Sequence, residues 1–205
     1  MDWIQTYTGR RFFPLEPKAA DVDIRDIAHA LSLKTRFGGH SRVFYSVAEH
    51  SVGVSQTVEP QHALWGLLHD AAEAYLADVP RPVKRKWPEF NAMEQRVLQA
   101  IQEHFHLSPE VPPAVWHADD LLLAEEARDL MAGGAAGWAL PAPPSRPPIV
   151  PITWEAAESA FLDRYRELTQ ANDRADTTTM QTSNPVSETA NRMPGCGNPD
   201  SCTER

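Results

Sequence analysis

Apolar residues recur at helical spacing over most of the first 169 positions, and strand-like alternation is confined to the start of the chain. Residues 2–14 alternate loosely around Thr8-Gly9, which predicts a short hairpin. Asp23 reads as an N-cap, followed by Ile24, Ile27, Ala28 and Leu31 on one helical face. Thr35 to Ser46 carries Gly38 and Gly39 and reads as a loop. Ser46 and Glu49 form a capping-box pattern for a second helix. Pro60 suits the first turn of a third, expected to run unbroken to about Ala77, where the string DVPRP ends it. Pro88 opens a helix with Phe90, Met93, Val97, Leu98, Ile101 and Phe105 in phase, and another spans about Ala114 to Met131. Gly133 to Pro151 is a Gly- and Pro-rich linker, and Thr153 caps a last helix to about Thr169. The expected fold is all-α, a helical bundle with a short N-terminal β-hairpin.

Beyond that point the pattern stops. Gln170 to Arg205 hold no Leu, Ile, Phe, Trp or Tyr and are rich in Thr, Ser, Asn and Pro. Such a segment buries too little apolar surface to offset its ordering entropy. The predicted organisation is one domain over 1–169 and a disordered tail over 170–205.

Composition narrows the function. With 19 Lys and Arg against 28 Asp and Glu, the net charge is −9, which disfavours a nucleic-acid polymer as partner. No apolar run approaches the roughly 20 residues of a membrane span, and the first 14 residues lack a secretory apolar core. Cys196 and Cys202 are the only cysteines, so the folded part offers no disulfide framework and no thiolate zinc site. These features predict a cytoplasmic protein, or one of the host cytoplasm if a phage encodes it.

Candidate chemistry lies in the third helix. Leu64, Leu67, Leu68, Ala71, Ala72 and Tyr75 make its apolar stripe, and His69, Asp70 and Glu73 fall on the opposite side. Gly66, one turn earlier on that side, is expected to leave room there. Adjacent His69 and Asp70 supply one nitrogen and one oxygen ligand for a borderline divalent metal. Further ligands must come from elsewhere, and His50 and Asp119 are the candidates. His50 approaches if the second and third helices pack antiparallel. Asp119 shares the helical phase of Val115 and Leu122, which favours it over Asp120 and turns it inward. A salt bridge to Arg128 or Arg164 is the alternative use of that carboxylate. His40, in the string GGHS, either meets an anion or bonds its own loop. Trp65 and Trp116 read as core or interface packing.

The strings VAEHS, LLHDAAEAYLADVPRPVK and HADDLLL resemble the H…HD…D signature of the HD-domain metal-dependent phosphohydrolases. They are most similar to the small 5′-deoxynucleotidases and the phage-type deoxynucleoside triphosphohydrolases. The resemblance covers residues 3–168. It implies a helical fold with one divalent metal (Mn, Co, Zn, Fe or Mg) on His50, His69, Asp70 and Asp119. It further implies Glu73 as the catalytic acid or base, Arg36 on phosphate, Phe37 and Asp78 near the sugar, and Lys84 closing the P-x-P-V-K string. Some relatives have Trp where this chain has Phe37.

The residues suit that chemistry. A divalent cation polarises a phosphoryl oxygen and acidifies bound water, and Glu73 sits one turn away to move a proton. Lys34, Arg36 and Arg42, with Arg81, Lys84, Arg85 and Lys86, supply local positive charge. The expected activity is hydrolysis of the 5′ phosphoester of a small deoxynucleotide. That is dNMP to nucleoside plus phosphate, or a dNTP such as dATP to nucleoside plus triphosphate. A metal- and nucleotide-binding regulatory module, and a phosphodiesterase of cyclic or alarmone nucleotides, are the competing readings. Assembly into a homo-oligomer is expected from the resemblance.

Overall fold

The computed structural model describes residues 2–182, the side chains of 171–182 excepted. Among these residues the protein is all-α. A two-stranded antiparallel hairpin, β1 (Ile4–Gln5) with β2 (Arg11–Phe12), precedes seven helices. They are α1 (Ile24–Leu33), α2 (Val47–Thr57), α3 (Ala63–Leu68), α4 (Arg81–Lys84), α5 (Pro88–His104), α6 (Pro113–Leu130) and α7 (Trp154–Thr182). No described helix is long and apolar enough to cross a membrane.

Local signals set most boundaries. Asp23 accepts the Arg25 amide at the start of α1. Ser46 and Glu49 close a reciprocal capping box on α2. The loop between α1 and α2 is cinched by an antiparallel bridge between Thr35 and Ser46, with Arg36 donating its amide to the Tyr45 carbonyl. The linker before α7 is tethered too, because Ile149 donates its amide to Asp129 and Ile152 to Glu49. One core joins the hairpin to α1–α3, α5, α6 and α7 through Phe12, Ile27, Leu31, Val54, Leu67, Leu68, Ile101, Val115 and Phe161.

Three expectations need correction. The segment from Pro60 to Ala77 is not one helix: α3 ends at Leu68, and a tight 3₁₀ turn covers Ala71–Ala74. The Lys34 ammonium donates to the carbonyls of Glu73, Ala74 and Leu76 at the end of this turn, satisfying acceptors that the last turn of a helix leaves open. The DVPRP string is not wholly a break, because the single turn α4 begins within it at Arg81. The last helix runs past Thr169 to Thr182. The chain divides into a compact body up to Ala171 and a second unit from Asn172. Most of the expected disordered tail, 183–205, lies outside the described residues.

Gly66 also has a different use from the one its sequence position suggests. A Cβ there would sit 2.9 Å from the Ser55 Cα and 3.1 Å from its backbone nitrogen. The missing side chain therefore lets α3 lie directly on α2. Ser55 faces Gly66 while His50 faces His69, so the two helices run antiparallel. Gly66→Ala gains about 1 kcal/mol in helix propensity. It loses about 1–3 kcal/mol to overpacking, at the upper end because the obstacle is backbone. We expect a lower urea midpoint, and an unchanged or higher midpoint would mean the contact is not tight.

Candidate metal centre

Three elements deliver the polar cluster. His50 lies on the second turn of α2, His69 and Asp70 leave the end of α3, and Asp119 points inward from α6. His50, His69 and Asp119 are buried, and one donor atom from each lies within 4.8 Å of the others. Asp70 joins them, with Oδ2 3.3 Å from His69 Nε2 and 3.7 Å from His50 Nε2. Asp119 Oδ1 is 3.1 Å from His50 Nε2. The phase argument for Asp119 over Asp120 agrees with the burial: Asp119 is buried, whereas the Asp120 side chain is 40% exposed.

Hydrogen bonding fixes which imidazole nitrogens face the centre. His69 Nδ1 is 2.8 Å from the Gly66 carbonyl, which only accepts, so Nδ1–H donates. His50 Nδ1 donates to Glu126 Oε1 at 2.7 Å. Both Nε2 atoms are buried and lack an aligned hydrogen-bond partner. A buried nitrogen without a partner is costly, and two aimed at the same pair of carboxylates make a nitrogen–oxygen donor set suited to a divalent transition metal. The residues present therefore fit one such cation.

Glu126 was not anticipated. It is fully buried on α6, and its other oxygen accepts from Arg36 Nε at 3.1 Å and from the second guanidinium nitrogen at 3.0 Å. One carboxylate thus orients both a donor histidine and the loop arginine. Burial alone would raise its pKa, but Arg36 and His50 outweigh burial and hold it lowered. Its signal in the sequence was its place seven residues after Asp119, on the same helical stripe.

The other candidates are distributed unevenly. Arg36 is buried, bound to Glu126 and 3.7 Å from Asp70. Phe37 follows it with φ +57°, a strained left-handed conformation, its ring 6.3 Å from Trp138. Glu73 is buried rather than facing solvent, with Oε2 unpartnered and Oε1 3.5 Å from Lys84 Nζ. Lys84 also pairs with Glu94 at 2.6 Å. Asp78 is half-buried, and His40 is exposed at the rim of its loop. Asp119 pairs with Arg81, not with Arg128 or Arg164, and Arg81 bridges it to Asp120. Arg128 pairs with Asp129 and Arg164 binds Ser55. Lys34 spends its donors on backbone carbonyls and is no anion ligand. Trp116 is half-exposed beside His69 rather than packed in the core.

Electrostatics separates two carboxylates. Burial would raise the pKa of Asp70, but His69, His50 and Arg36 hold it below the usual carboxylate range. Burial, with the charges of Asp70 and Asp78, pushes Glu73 well above that range. The same buried cluster therefore favours the ionised form of Asp70 and the protonated form of Glu73. Burial and Arg36 act to lower the pKa of His50, and Glu126 with Asp119 overcomes them, leaving it raised to about 9. A cation must displace that proton. We expect Co²⁺ affinity to rise about tenfold per pH unit from pH 6 to 8, with about one proton released. Calorimetry in buffers of different ionisation enthalpy reads both quantities, and a pH-independent affinity would remove His50 from the donor set.

No family model matches the chain. It is 36% identical over 174 residues to the uncharacterized protein YfdR of Escherichia coli (strain K12), a match covering 83% of this chain and 97% of YfdR. It is 35% identical over 122 residues to an uncharacterized protein of Rhodobacter capsulatus, covering 55% of this chain and 62% of that protein. With a third of its residues identical over nearly the whole length of YfdR, the chain belongs to the YfdR family.

Proposed function

We propose that the protein is a divalent-metal-dependent phosphohydrolase that cleaves the 5′ phosphoester of deoxynucleotides. The observation that carries this reading is the gathering of two buried histidine Nε2 atoms, neither in a hydrogen bond, with two carboxylates, and the buried Glu73 carboxyl one turn further on. A cation on His50, His69, Asp70 and Asp119 would supply Lewis acidity and an acidified water. Glu73 holds its proton for the departing 5′ oxygen and then receives one back. Asp78 lies near enough to Arg36 and Asp70 for their charges to act on its carboxyl, where a sugar hydroxyl would be met. A module that merely bound nucleotide would have no use for a carboxyl group buried this close to the cluster, where burial opposes its ionisation.

Charge balance favours the monophosphate over the triphosphate. Arg36, Arg81 and Lys84, the cations in contact with the cluster's carboxylates, are each already paired, so they carry little surplus charge for three phosphates. The test is protein stripped of metal, re-supplied with Mn²⁺, Co²⁺ or Mg²⁺, and offered all dNMPs and dNTPs, with products resolved by chromatography. Nucleoside and inorganic phosphate from a dNMP support the proposal. Nucleoside with intact triphosphate would reverse the preference for monophosphate. Metal-dependent nucleotide binding without turnover would overturn the enzyme reading in favour of a regulatory module.

A further inference from the structure

Exposure rises across the metal centre in one direction. The side chains of His50 and Glu126 are fully buried, that of Asp119 is 10% exposed and that of Asp70 19%. Beyond them Arg81 reaches 46% and Trp116 48%. The open side is therefore built by the first turns of α6 and the turn at Arg81, and a substrate reaching the cluster crosses it. Trp116 stands there, one helical turn before Asp119. Its ring centroid is 6.4 Å from that of the His69 imidazole, with the planes at 83°. The core contacts of this part of α6 are made by Val115 and Ala118, so packing does not account for a large aromatic left half open at this place.

We propose that Trp116 is the base platform of the site, stacking on the nucleobase of the nucleotide whose 5′ phosphate meets the His50–His69–Asp119 cluster. This rests on the phosphohydrolase reading and deepens it. An indole face accepts any base, because every base has a π-face. Trp116 accordingly selects nucleotides over sugar phosphates and does not choose among bases.

The experiment compares dNMPs with base-free 2-deoxyribose 5-phosphate, using metal-loaded wild type, Trp116→Ala and Trp116→Phe. The expected result is a KM preference for nucleotide that falls about 5- to 150-fold in Trp116→Ala, the span of one base–aromatic stack. Metal content should be retained, and Trp116→Phe should recover most of the preference. An unchanged preference overturns the proposal, as does an equal rise in KM for both substrates, which would make Trp116 a support for His69. A change of oligomeric state with the preference intact overturns it in favour of contact with a second copy. If the wild type turns over neither substrate, the phosphohydrolase reading fails by itself. Quenching of tryptophan fluorescence by a dNMP then decides the platform separately: loss of the quench in Trp116→Phe supports it, and an unaltered quench refutes it.

Discussion

Replacing Glu73 by glutamine is expected to leave bound metal in place and to lower turnover by about two to four orders of magnitude, the usual contribution of a positioned acid or base. The shapes match, so the buried pocket stays filled. Glutamine also carries no charge, which suits a position where burial, Asp70 and Asp78 already oppose ionisation. What disappears is a carboxyl able to give and take a proton, whose Oε2 is buried and without a hydrogen-bond partner. Elemental analysis should show the wild-type metal content, because the grouped donor atoms belong to His50, His69 and Asp119. Turnover at saturating substrate then isolates the proton. Wild-type turnover in Glu73→Gln would take Glu73 out of the chemistry.

Glu126→Ala is expected to cost about 3–5 kcal/mol of stability, because it strips the partner from a buried guanidinium. Arg36 is 9% exposed and gives two hydrogen bonds to this one carboxylate. Its next acidic neighbour is Asp70, at 3.7 Å. The same change frees the His50 imidazole to turn, and loss of such an orienting carboxylate typically lowers metal affinity about 10- to 100-fold. Urea unfolding of the metal-free protein reads the first effect and Co²⁺ titration the second. An unfolding midpoint equal to wild type would show that water replaces Glu126 beside Arg36 and that the pair is not sequestered.

Local chemistry was legible in the sequence, and tertiary interference was not. Asp23, and the Ser46 and Glu49 box, act within one turn of chain, and the structure has them as caps. The stripe through Val115 and Leu122 placed Asp119 inward by phase alone. The helix expected through Ala77 breaks after Leu68, and the lysine that satisfies the carbonyls of the following turn comes from the end of α1, which no periodicity within the segment encodes. Gly66 was read as room for the site when it is room for α2. Glu126 was passed over because an acid within AEEARD reads as solvated surface, although its spacing from Asp119 marks the same stripe. Of the two packing roles that the sequence offers Trp116, core and interface, its 48% exposure removes the core, and its spacing of one turn from Asp119 puts it beside the cluster.

The donor residues sit at positions 50, 69, 70 and 119, and the order of those numbers has a consequence during synthesis. A growing chain emerges N-terminus first. Both histidines and Asp70 are made while α6 is still untranslated, and α2 and α3, neighbours in sequence, can already pack. The nascent protein thus passes through an interval with a half-built chelate that lacks Asp119 and the Glu126 anchor. Completing it requires closing the long stretch between Asp70 and Asp119, a step paid in loop entropy. A cation held by the full set would then be captured only once α6 has joined, rather than seeding the fold, and a chain stalled before α6 would present an incomplete pair of imidazoles.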